Sequence, residues 1–161
     1  MCIVIDANVL SMVFEAENQK HVDFKSIKIW IHKRQGFLIY GGKKYKEELA
    51  ANYRKLFNTL RDAGMAIPIN DRVIEDAEKR IVNATKGTDC NDQHIIALLS
   101  CSGCWLLASL DRKAYPHFRN RGLYPPNMPK VRIYSSARNA NLLVRCDPHK
   151  IRNSEACLAV A

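Results

Sequence analysis

Long apolar runs are the first thing missing from this sequence. No stretch approaches the roughly eighteen consecutive apolar residues of a membrane-spanning helix, which argues against a helical membrane protein. Glycine and proline are sparse, seven and six in 161 residues, so collagen-like repeats and Pro/Gly-rich low-complexity tracts are excluded. The N-terminus carries no basic leader followed by a small-residue cleavage site, and the expected location is the cytoplasm. Six cysteines are present, but the pattern lacks what a zinc site needs. Cys101 and Cys104 form one CxxC with no second tight pair to close a tetrahedral set. With Cys2 and Cys101 inside apolar segments, reduced thiols are expected. Acidic residues are nearly absent between Arg112 and Arg152, where Asp147 alone faces ten lysines and arginines.

What is present describes one globular domain. Apolar residues make up 47% of the chain and charged residues 25%, and the length suffices for a real core. The formal net charge is +9. The basic half from Arg112 to Arg152, with a second cluster at Lys43, Lys44 and Lys46, would attract a polyanion.

Along the chain, Cys2 to Ile5 reads as a strand buried on both faces and Asn8 to Phe14 as a short helix. Residues 21 to 34 read as an amphipathic helix and Phe37 to Tyr40 as a second strand closed by Gly41-Gly42. Apolar residues at steps of three and four from Lys43 to Ala63 predict one long helix stopped by Gly64. Met65 to Ile69 reads as a third strand, Asn70 or Asp71 caps a helix to about Ala84, and an apolar helix surrounds His94 to Ser100. Trp105 to Ser109 and Val131 to Tyr134 complete the strands. Alternation of strands and helices through short loops predicts an α/β fold, a three-layer α/β/α sandwich on a mostly parallel sheet. The expected division is a domain over residues 1–134 and a C-terminal extension over 135–161.

Parallel sheets bind ligands beyond the carboxyl ends of their strands, and carboxylates recur at those ends. Asp6 ends the first strand and Asp111 follows the fourth. Asp89 and Asp92 precede the His94 helix, and Glu47 and Glu48 lie early in the helix after the second strand. Helical phase favours Glu48 as the inward member of its pair. Asp89 suits a helix cap, whereas Asp92 shares the face of Ile95 and Leu99. Clustered carboxylates raise one another's pKa unless a cation neutralises them. Hard oxygen donors select Mg²⁺ or Mn²⁺, which suits metal-assisted hydrolysis of a phosphodiester.

The ordered segments Val4-Ile-Asp6-Ala-Asn8, Glu48-Leu49, Asp92-Gln-His-Ile-Ile-Ala97 and Leu107-Ala-Ser109-Leu-Asp111 resemble the acidic motifs of PIN-domain ribonucleases, over about residues 1 to 134. The resemblance implies cleavage of single-stranded RNA by an endoribonuclease, with Asp6, Glu48, Asp92 and Asp111 as catalytic metal ligands for Mg²⁺ or Mn²⁺. Asn8 and Ser109 would orient ligands or water, with Asp89 beside them as a rival to Asp92, and His94 would pack or make a local hydrogen bond without being a ligand. Lys43, Lys44, Lys46, Arg112 and Lys113 would contact RNA. Small members of the family are often toxins, which implies a cognate antitoxin protein and a homodimer as partners. The alternative is a non-catalytic RNA- or protein-binding module of the same fold.

Overall fold

The computed structural model describes residues 1–144. Residues 145–161, with Arg145, Lys150 and Arg152 of the basic half, lie outside the described residues.

The chain starts at the centre of its sheet. Strand β1 (Cys2–Ile5) runs between β2 (Phe37–Gly41) on one side and β4 (Leu106–Ala108) on the other, so that Val4 sits between Ile39 and Leu107. Beyond β2 lies β3 (Ala66–Ile69), and beyond β4 lies β5 (Arg132–Tyr134). Every pairing is parallel and the order is β3-β2-β1-β4-β5. Ile3, Val4 and Ile5 are fully buried, which is why β1 reads as an unbroken apolar run instead of an alternating one. The fold is therefore α/β on a five-stranded, all-parallel sheet.

Helices link the strands. A 3₁₀ turn (Ala7–Val9) leads into α1 (Leu10–Phe14), and α2 (His21–His32) packs against it before β2. Helices α3 (Lys43–Glu48) and α4 (Ala51–Asp62) connect β2 to β3, and α5 (Asp71–Ala84) and α6 (Gln93–Ser102) connect β3 to β4. Helix α6 lies against β1, β2 and β3 with α5 on its flank. A short α7 (Tyr115–Phe118) precedes β5. The chain builds outward from β1 to β3, then crosses back to place β4 on the other side of β1. That reversal opens a crevice at the carboxyl ends of β1 and β4.

One predicted element is not continuous. The helix expected from Lys43 to Ala63 breaks at Leu49 and Ala50, whose ψ angles of 125° and 155° are extended. Neither residue is a helix breaker, so the cause is tertiary. The Tyr45 hydroxyl donates to the Ile5 carbonyl and Glu48 meets His94, which holds α3 at the carboxyl edge of the sheet. Phe57 and Leu60 are buried on α4, which packs along β3. One straight axis cannot serve both attachments, and the packing overrides the local periodicity. At the start of α3, Gly42 takes φ +83°, and an added Cβ there would meet Ile74 Cγ2 at 2.9 Å. Glycine lets β2 turn sharply into the helix that carries Glu48.

Beyond Tyr134, a 3₁₀ segment (Ala137–Leu142) packs on α2 and β5, and the Trp30 indole N–H donates to the Val144 carbonyl. Among the described residues no helix is long and apolar enough to cross a membrane.

Candidate active site

Asp6 leaves the carboxyl end of β1 and caps the 3₁₀ turn that follows. Its Oδ1 accepts the Asn8 backbone N–H at 3.3 Å, and its Oδ2 accepts the Ser109 hydroxyl at 2.8 Å. Only 8% of the residue is exposed. Ser109, at the end of β4, is fully buried, and its Oγ also accepts the Asp111 backbone N–H at 3.1 Å. A single hydroxyl thus ties together two acid-bearing strand ends that are 103 residues apart in sequence, at the point where the strand order reverses.

Two further carboxylates reach this edge from helices. Glu48 ends α3, and its Oε2 lies 3.1 Å from His94 Nε2. Asp92 stands at the N-cap position of α6 but makes no capping bond with its side chain. The macrodipole of α6 favours the ionised form of Asp92 without consuming its oxygens. Asp111 is engaged differently, because its Oδ1 accepts the Lys113 and Ala114 N–H groups and caps the turn into α7.

The electrostatics link all four acids. Burial pushes the Asp6 pKa above the ordinary carboxylate range, its bonds from Ser109 and Asn8 pull it back, and the negative charges of Glu48 and Asp111 raise it again. Asp92 is raised by burial, then by Asp6, Asp111 and Glu48, with His94 opposing. Glu48 is raised by burial against the pull of Lys44. His94, 2% exposed, is lowered to about 4 by burial and by Lys44. The neutral imidazole with its proton on Nε2 donates to the Glu48 carboxylate, and its buried Nδ1 has no partner. Mutual repulsion among carboxylates at a partly buried edge is the condition under which a cation binds most favourably.

No family model, curated protein or solved structure matches this chain. The four donors are all carboxylate oxygens, which fits Mg²⁺ or Mn²⁺ over zinc or copper. Among the described residues, however, no three His, Cys, Asp or Glu side chains are placed so that together they could hold a metal ion; the four acids share an edge and a charge interaction, not a formed coordination site. Asp6, Glu48, Asp92 and Asp111 are the carboxylates of this edge that could approach a divalent ion.

The remaining sequence candidates fall in different places. Asp89 does not cap α6; it is exposed, and its Oδ1 pairs with His117 Nε2 at 2.9 Å, which lowers its pKa. The helix begins at Gln93, too far along the chain for Asp89 to reach its first amides, and Asp89 makes no hydrogen bond to the four acids. Asn8 serves Asp6 through its backbone N–H while its side chain is exposed. Glu47 is exposed beside Lys43 and Lys44 in a groove that also includes Glu75, Glu78 and Lys79. Lys44 Nζ donates to the Asn91 carbonyl at 3.2 Å. Lys46 is committed to Asp71 at 2.8 Å, while Arg112 and Lys113 are exposed on the turn after Asp111.

Sequence reasoning missed Tyr45. Fully buried, it donates to the Ile5 carbonyl directly before Asp6, and burial, Asp6 and Glu48 all push its pKa up. It fixes the backbone from which Asp6 projects, and the available signal was its position one helical turn before Glu48.

Proposed function

We propose that this chain is a metal-dependent endoribonuclease of the PIN-domain kind, cleaving single-stranded RNA with Mg²⁺ or Mn²⁺ at the carboxyl edge of β1 and β4. The observation that carries the reading is the Ser109 hydroxyl, which joins the Asp6 and Asp111 segments while Glu48 and Asp92 add their charges to the same edge. A parallel sheet with helices is compatible with the three-layer α/β/α arrangement such a reading requires.

When bound, the divalent ion supplies charge neutralisation and activation of water for in-line attack on a phosphodiester. The protein's own groups do the rest. Ser109 fixes the Asp6 carboxylate in one orientation, and His94 does the same for Glu48. The neutral imidazole adds no positive charge that would weaken cation binding. Arg112 and Lys113, exposed directly after Asp111, supply positive charge that would attract a phosphate backbone. No Ser-His-Asp or Cys-His set among the described residues offers a covalent route in competition. The biological setting in this reading is the cytoplasm, consistent with the free thiols of Cys2, Cys90, Cys101 and Cys104. The protein would act there as the homodimeric toxin of a toxin–antitoxin pair.

A second reading, a non-catalytic RNA- or protein-binding module, draws on the lack, among the described residues, of any three acid, His or Cys side chains placed to hold a metal ion. One experiment separates the two. Asp6→Asn should abolish Mn²⁺-dependent cleavage of single-stranded RNA while retaining the parent's circular dichroism. Calorimetric titration of the parent with Mn²⁺ should show binding. Undiminished cleavage by the variant would remove Asp6 from the site, and a parent that binds no Mn²⁺ would favour the module.

A further inference from the structure

A cavity of about 440 Å³ opens on the edge strand β5, away from the four acids. Arg119, just past α7, Lys130, just before β5, and Arg132, at its start, line it, with no carboxylate among the described residues of the lining. None of the three has an ion-pair partner among the described residues, although Arg119 lies over the Tyr115 ring at 5.5 Å from its centroid. Every other described lysine or arginine that lines the groove of Lys43 and Lys44 shares it with glutamates. Three cations with no ion pair among the described residues share one concavity, and an anion between them relieves their mutual repulsion.

The rest of the lining narrows the anion. Val131 and Ile133 are buried and, with Leu142, give the cavity an apolar component. Asn139 also lines it, and its Oδ1 accepts both the backbone N–H and the hydroxyl of Ser135, which leaves its amide N–H₂ as a fixed donor. Two guanidinium forks suit the paired oxygens of a phosphate, while the apolar surface and an amide suit a ribose and base. Continuity points the same way. Arg112 and Lys113 precede α7 and Arg119 follows it, and four helical residues span only about 6 Å. Exposed basic residues therefore flank α7 on both sides along the chain, which suits a ligand that repeats its charge.

We propose that the cavity formed by Arg119, Lys130 and Arg132 is a phosphate-binding subsite for single-stranded nucleic acid, separate from the acidic edge. It rests on its own geometry and holds whether or not the acidic edge turns over RNA.

The test uses the full-length chain and a short fluorescent single-stranded RNA in EDTA, with binding followed by anisotropy across salt concentrations. Arg119→Gln/Lys130→Gln/Arg132→Gln removes three phosphate contacts. The slope of log affinity against log salt should then flatten by about 2, at about 0.7 per contact for single strands. Between about 50 and 200 mM salt the parent should lose roughly fifteen- to twenty-fold more affinity than this variant. A matched control, Lys25→Gln/Lys33→Gln/Lys55→Gln, removes the same charge from exposed positions on and beside α2 and α4 and should leave the slope near the parent's. Arg119→Lys/Arg132→Lys should also keep the parent's slope, which guards against a folding artefact in the triple variant. Equal flattening in the cavity variant and the control would overturn the proposal. So would displacement of the RNA by polyglutamate of matched charge as effectively as by unlabelled RNA, because the cavity would then be an acidic-peptide site. Displacement by inorganic phosphate at millimolar level, with RNA binding unaffected by the triple variant, would limit the cavity to free phosphate and refute it equally.

Discussion

Ser109→Ala is the substitution that most directly probes the joint between β1 and β4. It removes the hydroxyl donated to Asp6 Oδ2 at 2.8 Å and the oxygen that accepts the Asp111 N–H. Loss of a hydrogen bond to an ionised group costs about 1.5–3 kcal/mol, and the second bond adds about 1 kcal/mol where water cannot replace it. Ser109 is fully buried but Asp111 is half-exposed, so water recovers much of the second loss. A net cost of about 2–3 kcal/mol follows, equivalent to a fall in Tm of roughly 4–12 °C for a domain of this size. The cost must depend on pH in one direction. Burial and neighbouring charge raise the folded pKa of Asp6, so the fold favours its protonated form. The corresponding stability is fully present below the unfolded carboxylate value and is lost as pH rises through the folded one. Removing the Ser109 donor raises that folded value further, so the penalty of Ser109→Ala is largest at neutral pH and shrinks toward pH 4. Thermal melts of parent and variant at a series of pH values, in EDTA, measure this directly. A penalty that stays constant or grows on acidification would refute the assignment of the Ser109 bond to an ionised Asp6.

The same sign gives a prediction for Asp6→Asn, which should melt at or above the parent's temperature at neutral pH without divalent ions, because it relieves a buried charge repelled by Glu48 and Asp111; a drop of several degrees would contradict it. His94 behaves in the opposite sense, since its folded pKa of about 4 lies below the ordinary 6.5. Its contribution is present above 6.5 and is lost as pH falls toward 4, by up to roughly 3 kcal/mol at 1.36 kcal/mol per unit. His94→Gln should therefore flatten the acid limb of stability against pH, and an unchanged limb would remove His94 as its source. Tyr45→Phe leaves the Ile5 carbonyl without its donor and should cost about 1–2 kcal/mol in urea unfolding; a variant as stable as the parent would show that water satisfies that carbonyl. Lys46→Met breaks an ion pair whose side chains are 39% and 41% exposed, and denaturant unfolding should register less than about 1 kcal/mol.

The strands were legible where local pattern and tertiary environment agree. Val4 and Ile5 sit between two neighbours and under helices, so a run of apolar residues was sufficient to place β1. Asp6 and Asp111 were legible for a related reason, as charge directly after such a run marks a strand end. The break at Leu49-Ala50 was not, because both residues tolerate a helix and only the competing attachments of Tyr45 and Phe57 force the chain to bend. That break also removes the helical phase by which Glu48 was preferred over Glu47, since the reference stripe continued through α4. Both glutamates are exposed, the Glu48 side chain by 38%, and it is the contact with His94 that ties Glu48 and not Glu47 to this edge. Asp89 and Asp92 were ambiguous because either can begin a helix, and the choice depends on His117, 28 residues away. The Arg119, Lys130 and Arg132 cavity was visible only as a basic composition until the edge strand brought the three together.

The Ser109 hydroxyl also sets a schedule. Strand β1 precedes the other strands in synthesis but receives β4, its second neighbour, only after β2, β3 and the six helices α1 to α6 have been made. Such non-local pairing forms late. A growing chain shorter than about residue 109 holds Asp6 without the donor that orients it and without Asp111 altogether. On the proposed function, incomplete or truncated chains would be inert toward RNA, and a cell translating this protein would meet its activity only once the last carboxylate is in place.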